Sequence, residues 1–220
     1  MTLIDDNAGV QVRSGGISTD EIRTAALAYA APQPGLRWVD IGCGTGEVLR
    51  AVRDSWQPVS LVGVDILPWL QDDLTPDVEL HIGDAVATLD QLAPADRVLI
   101  IETLEHVDAP WTMLRAAARL VVPGGRIIVT TPNVASLRHR LELLMRGQLT
   151  SFRPDKLEHL TPALPHVTET IMHQEKIKTE RGFAGRDVIP RTRGRIWSPA
   201  LATRCGGLLN RSVIVAGRRL

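Results

Sequence analysis

Residues 38–49 read WVDIGCGTGEVL, with three glycines in five positions (Gly42, Gly44, Gly46) after an apolar run that carries Asp40. Glycine lets a ligand lie directly against the main chain and accepts positive φ. The first turn of the helix that follows would offer N–H groups to a negative ligand. A dinucleotide crevice would need Gly-x-Gly-x-x-Gly; here Glu47 stands where the third glycine would fall. An acid at the helix start suits a pyrophosphate poorly but a ligand ending in an amino acid well, and Asp40 can attract the ammonium of such a ligand. Asp65, 19 residues beyond Gly46, can accept from both hydroxyls of a ribose. Ile66 and Leu67 could pack on an adenine face, and Asp84 in HIGDA could accept from an adenine amino group.

These residues need a scaffold that brings them to one edge. STDEIRTAALAYA (18–30) reads as a helix with a capping box from Ser18 to Glu21, stopped by Pro32 and Pro34. A regular alternation follows: strands at 36–41, 59–65, 77–83, 97–104 and 126–132, and helices at 46–54, 85–92 and 109–121, the last with Asp108 as N-cap. Pro123-Gly124-Gly125 makes the turn into the fifth strand. Such βα repetition predicts a doubly wound, mostly parallel sheet with right-handed crossovers and helices on both faces. Ligands of such sheets bind beyond the carboxyl ends of the strands, where the glycine loop and both acids lie. Beyond it, 134–147 reads as a helix, 148–165 as a loop or lid, 166–182 as a helix ending at Gly182, and 183–190 and 211–219 as two last strands. The organisation expected is one domain: a helical cap (1–34), a ligand-binding core (35–133), a helical or lid insertion (134–182) and C-terminal strands (183–220).

An amino-acid end, a ribose and an adenine, met in that order, describe S-adenosylmethionine. The chain resembles the class I S-adenosylmethionine-dependent methyltransferases, in VDIGCGTG, GVDI, GDA, ETLEHVDAP and LVVPGGRIIVTTPN, from about Leu36 to Asn133. TPNVASLRHRLELLMRGQLT is similar to the stretch after the fifth strand in ubiquinone-pathway-like methyltransferases and in methyltransferase-like proteins associated with methionine biosynthesis. The resemblance implies a seven-stranded sheet of order 3-2-1-4-5-7-6 with the last strand antiparallel. It implies that Asp40, Gly42, Cys43, Gly44 and Gly46 hold the methionine part, Asp65 the ribose, Asp84 and Ala85 the adenine, and that Glu102 and Thr103 line the wall near the sulfonium.

The cofactor carries its own leaving group, so alignment is the main demand on the protein. An alcohol or phenol acceptor must still lose a proton, and histidine is the usual base near neutral pH. His106 follows the fourth strand and His159 lies in the lid segment, which makes them the catalytic candidates. No His/Cys/Asp cluster has metal-ligand spacing, so no metal is expected. IETL stands where an Asn/Asp-Pro-Pro-aromatic element would mark transfer to a base amine, and aromatics are only 4%, poor material for stacking a single strand. Nucleic acid is therefore disfavoured as the acceptor.

Lys plus Arg equals Asp plus Glu at 25 each, yet Arg181–Leu220 holds nine arginines and a single acid, Asp187. With Arg138, Arg140, Arg146 and Arg153 this basic end could recognise a phosphate or carboxylate on a small-molecule acceptor. Two cysteines, Cys43 and Cys205, make no disulfide framework. The first ten residues are not a secretory signal, and no run is apolar enough to span a membrane. A cytoplasmic location is expected. The activity expected is SN2 methyl transfer to a hydroxyl of a small molecule or glycan precursor. The alternatives are a non-catalytic module that binds the cofactor and an NAD-dependent oxidoreductase.

Overall fold

The computed structural model describes residues 18–153, 159–186 and 207–220. Seven strands form one sheet: β1 (Arg37–Ile41), β2 (Ser60–Asp65), β3 (Val78–Ile82), β4 (Ala95–Ile101), β5 (Val121–Pro132), β6 (Ile177–Arg186) and β7 (Asn210–Arg219). Their order is β3-β2-β1-β4-β5-β7-β6. The first five are parallel, and β7 runs antiparallel to both of its neighbours. Strand order reverses between β1 and β4, which opens the crevice at their carboxyl ends.

Alternation along each strand splits the core in two. Val39, Ile41, Val98, Ile100, Ile127 and Val129 face α3 (Ala85–Leu89), α4 (Pro110–Leu120) and α6 (Pro165–Gln174), whose Met113, Leu114, Ile171 and Met172 complete that layer. Trp38, Leu61, Leu99, Ile128 and Ile214 face α1 (Asp20–Tyr29) and α2 (Glu47–Trp56), through Ile22, Leu27, Val48, Leu49 and Val52. Both faces are covered, as the near-continuous apolar runs require. A last helix, α5 (Leu137–Arg146), follows β5.

Four local expectations are corrected. Thr19, not Ser18, caps α1, accepting from the Ile22 N–H. Ala109 rather than Asp108 precedes α4 and gives no side-chain cap; Pro110 in the first turn makes one N–H fewer to satisfy. The helix expected over 166–182 ends at Gln174, and residues 177–186 are β6. Lys176 takes φ +61° and turns the chain. The strand that follows lies at the sheet edge, and its exposed Lys178 and Glu180 are the charges edge strands carry. The insertion therefore gives way to strand at 177 rather than 183, and residues 187–190 of the expected strand lie outside the described residues. Around Pro123-Gly124-Gly125 the pairing jumps from Ala95–Val121 to Arg97–Arg126, so the turn is a bulge within β5.

Candidate cofactor crevice and acceptor mouth

The loop after β1 is built for close approach. Gly42, Gly44 and Gly46 all have positive φ (75°, 51° and 86°). A Cβ on Gly42 would meet the Thr103 side chain at 2.3 Å, so the glycine lets this loop and the end of β4 touch. Asp65 ties the loops together: its Oδ2 accepts from the Gly44 N–H at 2.8 Å and its Oδ1 from the Leu67 N–H at 3.2 Å. Asp40 is 2% exposed and its carboxyl is pushed up to about 7, by burial first and by the charge of Asp65 second. Burial, with the charges of Asp40 and Asp65, likewise pushes the Cys43 thiol up, so that it stays protonated and unreactive in the loop. Glu47, in the first turn of α2, has Arg23 of α1 as its ion-pair partner at 3.8 Å.

On the rim, Ile66 is 42% exposed. Asp84 caps α3 by accepting from the Ala87 N–H at 2.9 Å, with Ala85 as the first helical residue. The structure thus gives Asp84 a capping task that the sequence leaves open.

The mouth of the crevice lies where β4 ends. Glu102 has φ +49°, a strained geometry for a non-glycine residue, held by its N–H donating to the Thr130 Oγ1 and carbonyl. Its Oε1 is buried and, among the described residues, lies outside hydrogen-bond geometry. Burial pushes the Glu102 carboxyl up, and the Thr130 and Ser212 hydroxyls and Arg211 pull the other way. Glu105, 1% exposed, is pushed well above the ordinary value by burial and by the neighbouring Glu102; its Oε2 also lacks a partner among the described residues.

His106 and His159 come together here. Their rings meet edge to face at 4.9 Å, and Phe152 packs on His159 at 5.3 Å. The Leu160 and Thr161 N–H groups donate to the Glu105 carbonyl, which clamps the lid segment onto the end of β4. Behind His159, Nδ1 lies 2.8 Å from the Ser151 carbonyl. The Ser151 hydroxyl lies 3.1 Å from Nε2 of His139, a buried histidine of α5 whose Nδ1 lies 2.8 Å from the Asn133 carbonyl. Glu105, Ser151 and His139 are absent from the sequence-derived site. The Glu-His pair at 105–106 was a readable signal, whereas nothing in the sequence links His139 to His159.

Glu105, His106 and His159 each place a ligand atom within 4.8 Å of the others. Sequence spacing shows no such group because His159 joins it only through the fold. One carboxylate with two imidazoles is a donor set that suits a divalent cation, and the unpartnered Glu105 Oε2 fits that role. The arginines are more scattered than expected. Arg138 pairs with Glu142, Arg140 donates to the Ala135 carbonyl, and Arg181 pairs with Glu169. Arg219 donates to three carbonyls at the end of α4. Arg191, Arg193, Arg195 and Arg204 lie outside the described residues.

Comparison with known proteins agrees with the crevice. A family model described as a methyltransferase domain matches residues 19–169. The ubiquinone biosynthesis O-methyltransferase of Xylella fastidiosa (strain 9a5c) is 32% identical over 120 residues, covering 51% of this chain and 48% of the relative. That of Xanthomonas campestris pv. campestris (strain B100) is 31% identical over 145 residues, covering 63% and 60%. The chain spans about half the length of the curated relatives it matches. The crystal structure of a SAM-dependent methyltransferase from Archaeoglobus fulgidus superposes with a TM-score of 0.62 at 16% identity, over 90% of this chain and 91% of that one. Fold and family model together define a methyltransferase domain built on a seven-stranded, doubly wound sheet. The chain belongs to the methyltransferase-domain family.

Proposed function

We propose that the chain transfers a methyl group from S-adenosylmethionine to a hydroxyl oxygen of a small molecule or glycan precursor. The observation that carries this reading is the meeting of His106 and His159 at the mouth of the crevice. Asp40 and the glycine loop would hold the methionine end, Asp65 the ribose, and Ile66, Asp84 and Ala85 the adenine. One imidazole takes the acceptor proton while the oxygen lone pair attacks the methyl carbon. The carbon–sulfur bond breaks with its electrons going to sulfur, and S-adenosylhomocysteine leaves. The O-methyltransferase names of the curated relatives support an oxygen acceptor. Arg140 and exposed Arg146 on α5 suit an acceptor carrying an anionic group.

A second reading of the same cluster is that Glu105, His106 and His159 hold a divalent cation, which would lower the pKa of the acceptor hydroxyl. The residues present fit it, and both readings lead to oxygen methylation.

The test starts with calorimetric titration of S-adenosylmethionine, S-adenosylhomocysteine and NADH. Binding of the first two alone is expected; NADH binding would favour the oxidoreductase. Transfer of labelled methyl to a panel of phenols, catechols and anionic sugars comes next. Cofactor binding with no transfer to any hydroxyl would point to the non-catalytic module. Loss of transfer on chelation, with recovery on adding Mn²⁺ or Zn²⁺, would choose the cation over the free imidazole base.

A further inference from the structure

The opposite end of the sheet carries an unusual row of charge. Arg97 on β4, Arg126 on β5, Arg218 on β7 and Lys178 on β6 are successive cross-strand partners. Residues in register share a face, and like charges directly opposite destabilise a sheet. Part of this cost is offset locally. Arg97 donates to the carbonyls of Ala30, Ala31 and Asp96, and Arg126 to the carbonyl of Tyr29. The carbonyls of Tyr29 and Ala30 are the negative end of α1. Arg126 also pairs with Glu180. Among the described residues, neither Arg97 nor Arg218 has a carboxylate within ion-pair distance.

A cavity of about 420 Å³ opens over this row, between Ala31–Leu36, Asp96 and the Val122–Gly125 bulge, with Arg97, Arg126 and Arg218 in its lining. Among the described residues Asp96 is the one acid in the cavity lining, and its carboxylate already accepts from the Arg37 N–H. Arg97 is 7% exposed and fixed by carbonyls, so the floor of the cavity is a positive charge that cannot swing away. Exposed Arg218 uses only its Nε, towards the Gly124 carbonyl at 3.3 Å. Both terminal nitrogens of its guanidinium face no acceptor among the described residues, the geometry that grips a phosphoryl group in two-point fashion.

We propose that this cavity, at the amino ends of β1, β4 and β5, binds a phosphorylated small molecule. Its phosphoryl oxygens sit on Arg218 and Arg126, over the fixed charge of Arg97. The site lies at the opposite end of the strands from the cofactor crevice, so it is separate from the acceptor pocket.

Inorganic pyrophosphate is the probe. Calorimetry at constant ionic strength, with the crevice saturated by S-adenosylhomocysteine, should show saturable binding at one site per chain. Arg218→Gln should weaken it at least about tenfold, the worth of a charge-assisted pair. Arg115→Gln, which removes a half-exposed charge on α4 away from the cavity, should leave it unchanged. Circular dichroism checks that both variants fold. Absence of saturable binding in the millimolar range would overturn the proposal. Equal weakening by both variants would also overturn it, since that reports only net charge.

Discussion

The imidazoles of His106 and His159 meet edge to face at 4.9 Å although 53 positions separate them in the chain. One follows β4 and the other lies in the segment after α5, and in the proposed function this meeting is where methyl donor and acceptor converge. His159→Ala and His106→Ala should each lower kcat by roughly 10²–10⁴, the usual worth of a positioned base. Affinity for S-adenosylhomocysteine should not change. Methyl-transfer kinetics alongside calorimetry would check both halves of that expectation, and a variant that loses cofactor affinity as much as rate would assign the histidine to the crevice instead.

His139 stands behind Ser151, meeting its hydroxyl, while the Ser151 carbonyl lies against Nδ1 of His159. His139→Ala should lower kcat and shift the pH–rate profile while cofactor affinity stays constant. A loss of thermal stability with an unmoved pH profile would mean that His139 only packs α5 in place.

Asp40 makes the crevice sensitive to pH. Its folded carboxyl titrates at about 7, above the ordinary 3.8. The native state therefore holds a proton that the unfolded chain gives up, and stability contributed below the lower value is lost as pH rises through 7. The difference amounts to about 4 kcal/mol. Glu102 and Glu105 shift in the same direction, so the comparison needed is Asp40→Asn against wild type: urea denaturation at acid and at neutral pH should show the variant with the flatter profile. Ligand binding runs the opposite way. The ammonium of the cofactor favours ionised Asp40, so affinity should fall up to about tenfold per unit below pH 7, while an α-amino group of pKa about 7.7–8.0 stays charged. Calorimetry of S-adenosylhomocysteine across that window would sink the assignment if affinity were flat.

Gly42→Ala should both destabilise the protein and weaken cofactor binding. The new Cβ suffers φ +75° and overlaps Thr103. Overpacking of this kind costs about 1–3 kcal/mol, and the backbone strain about 1 kcal/mol more. Combining it with Thr103→Gly should recover the overlap portion only, measurable as a non-additive double-mutant cycle.

Asp65→Ala removes the acceptor of the Gly44 and Leu67 N–H groups as well as the proposed ribose contact. Cofactor affinity should drop by at least about tenfold, and stability by about 2–4 kcal/mol as buried N–H groups lose a charged partner. An unchanged dissociation constant would displace the ribose from this position.

The glycine loop, the acids after β2 and β3, and the alternation of elements were legible because each is a local pattern: apolar runs, caps and turn residues close together in sequence. β6 was not. Its Lys178 and Glu180 point to solvent at the sheet edge, so apolar alternation is blurred, and the deciding event is the left-handed Lys176. Glu105, His106 and His159 were legible as residue types but not as a group, because the Leu160 and Thr161 bonds that join them span more than 50 positions. The Arg97–Arg126–Arg218 row was invisible for the same reason, since only strand register reveals that these cations are neighbours.

β7 lies between β5 and β6, pairing with Arg126–Pro132 on one side and Ile177–Arg186 on the other. During synthesis the first five strands can stack in the order they emerge from the ribosome, but β6 must wait for a partner made after it. Until residues 210–219 are available, the nascent chain carries the open edge of β5, with Ile127 and Val129 among its residues, and a strand with nowhere to pair. A ribosome that stalls in that interval would leave a polypeptide whose cofactor half is nearly complete and whose unsealed β5 edge is a template for pairing with other chains.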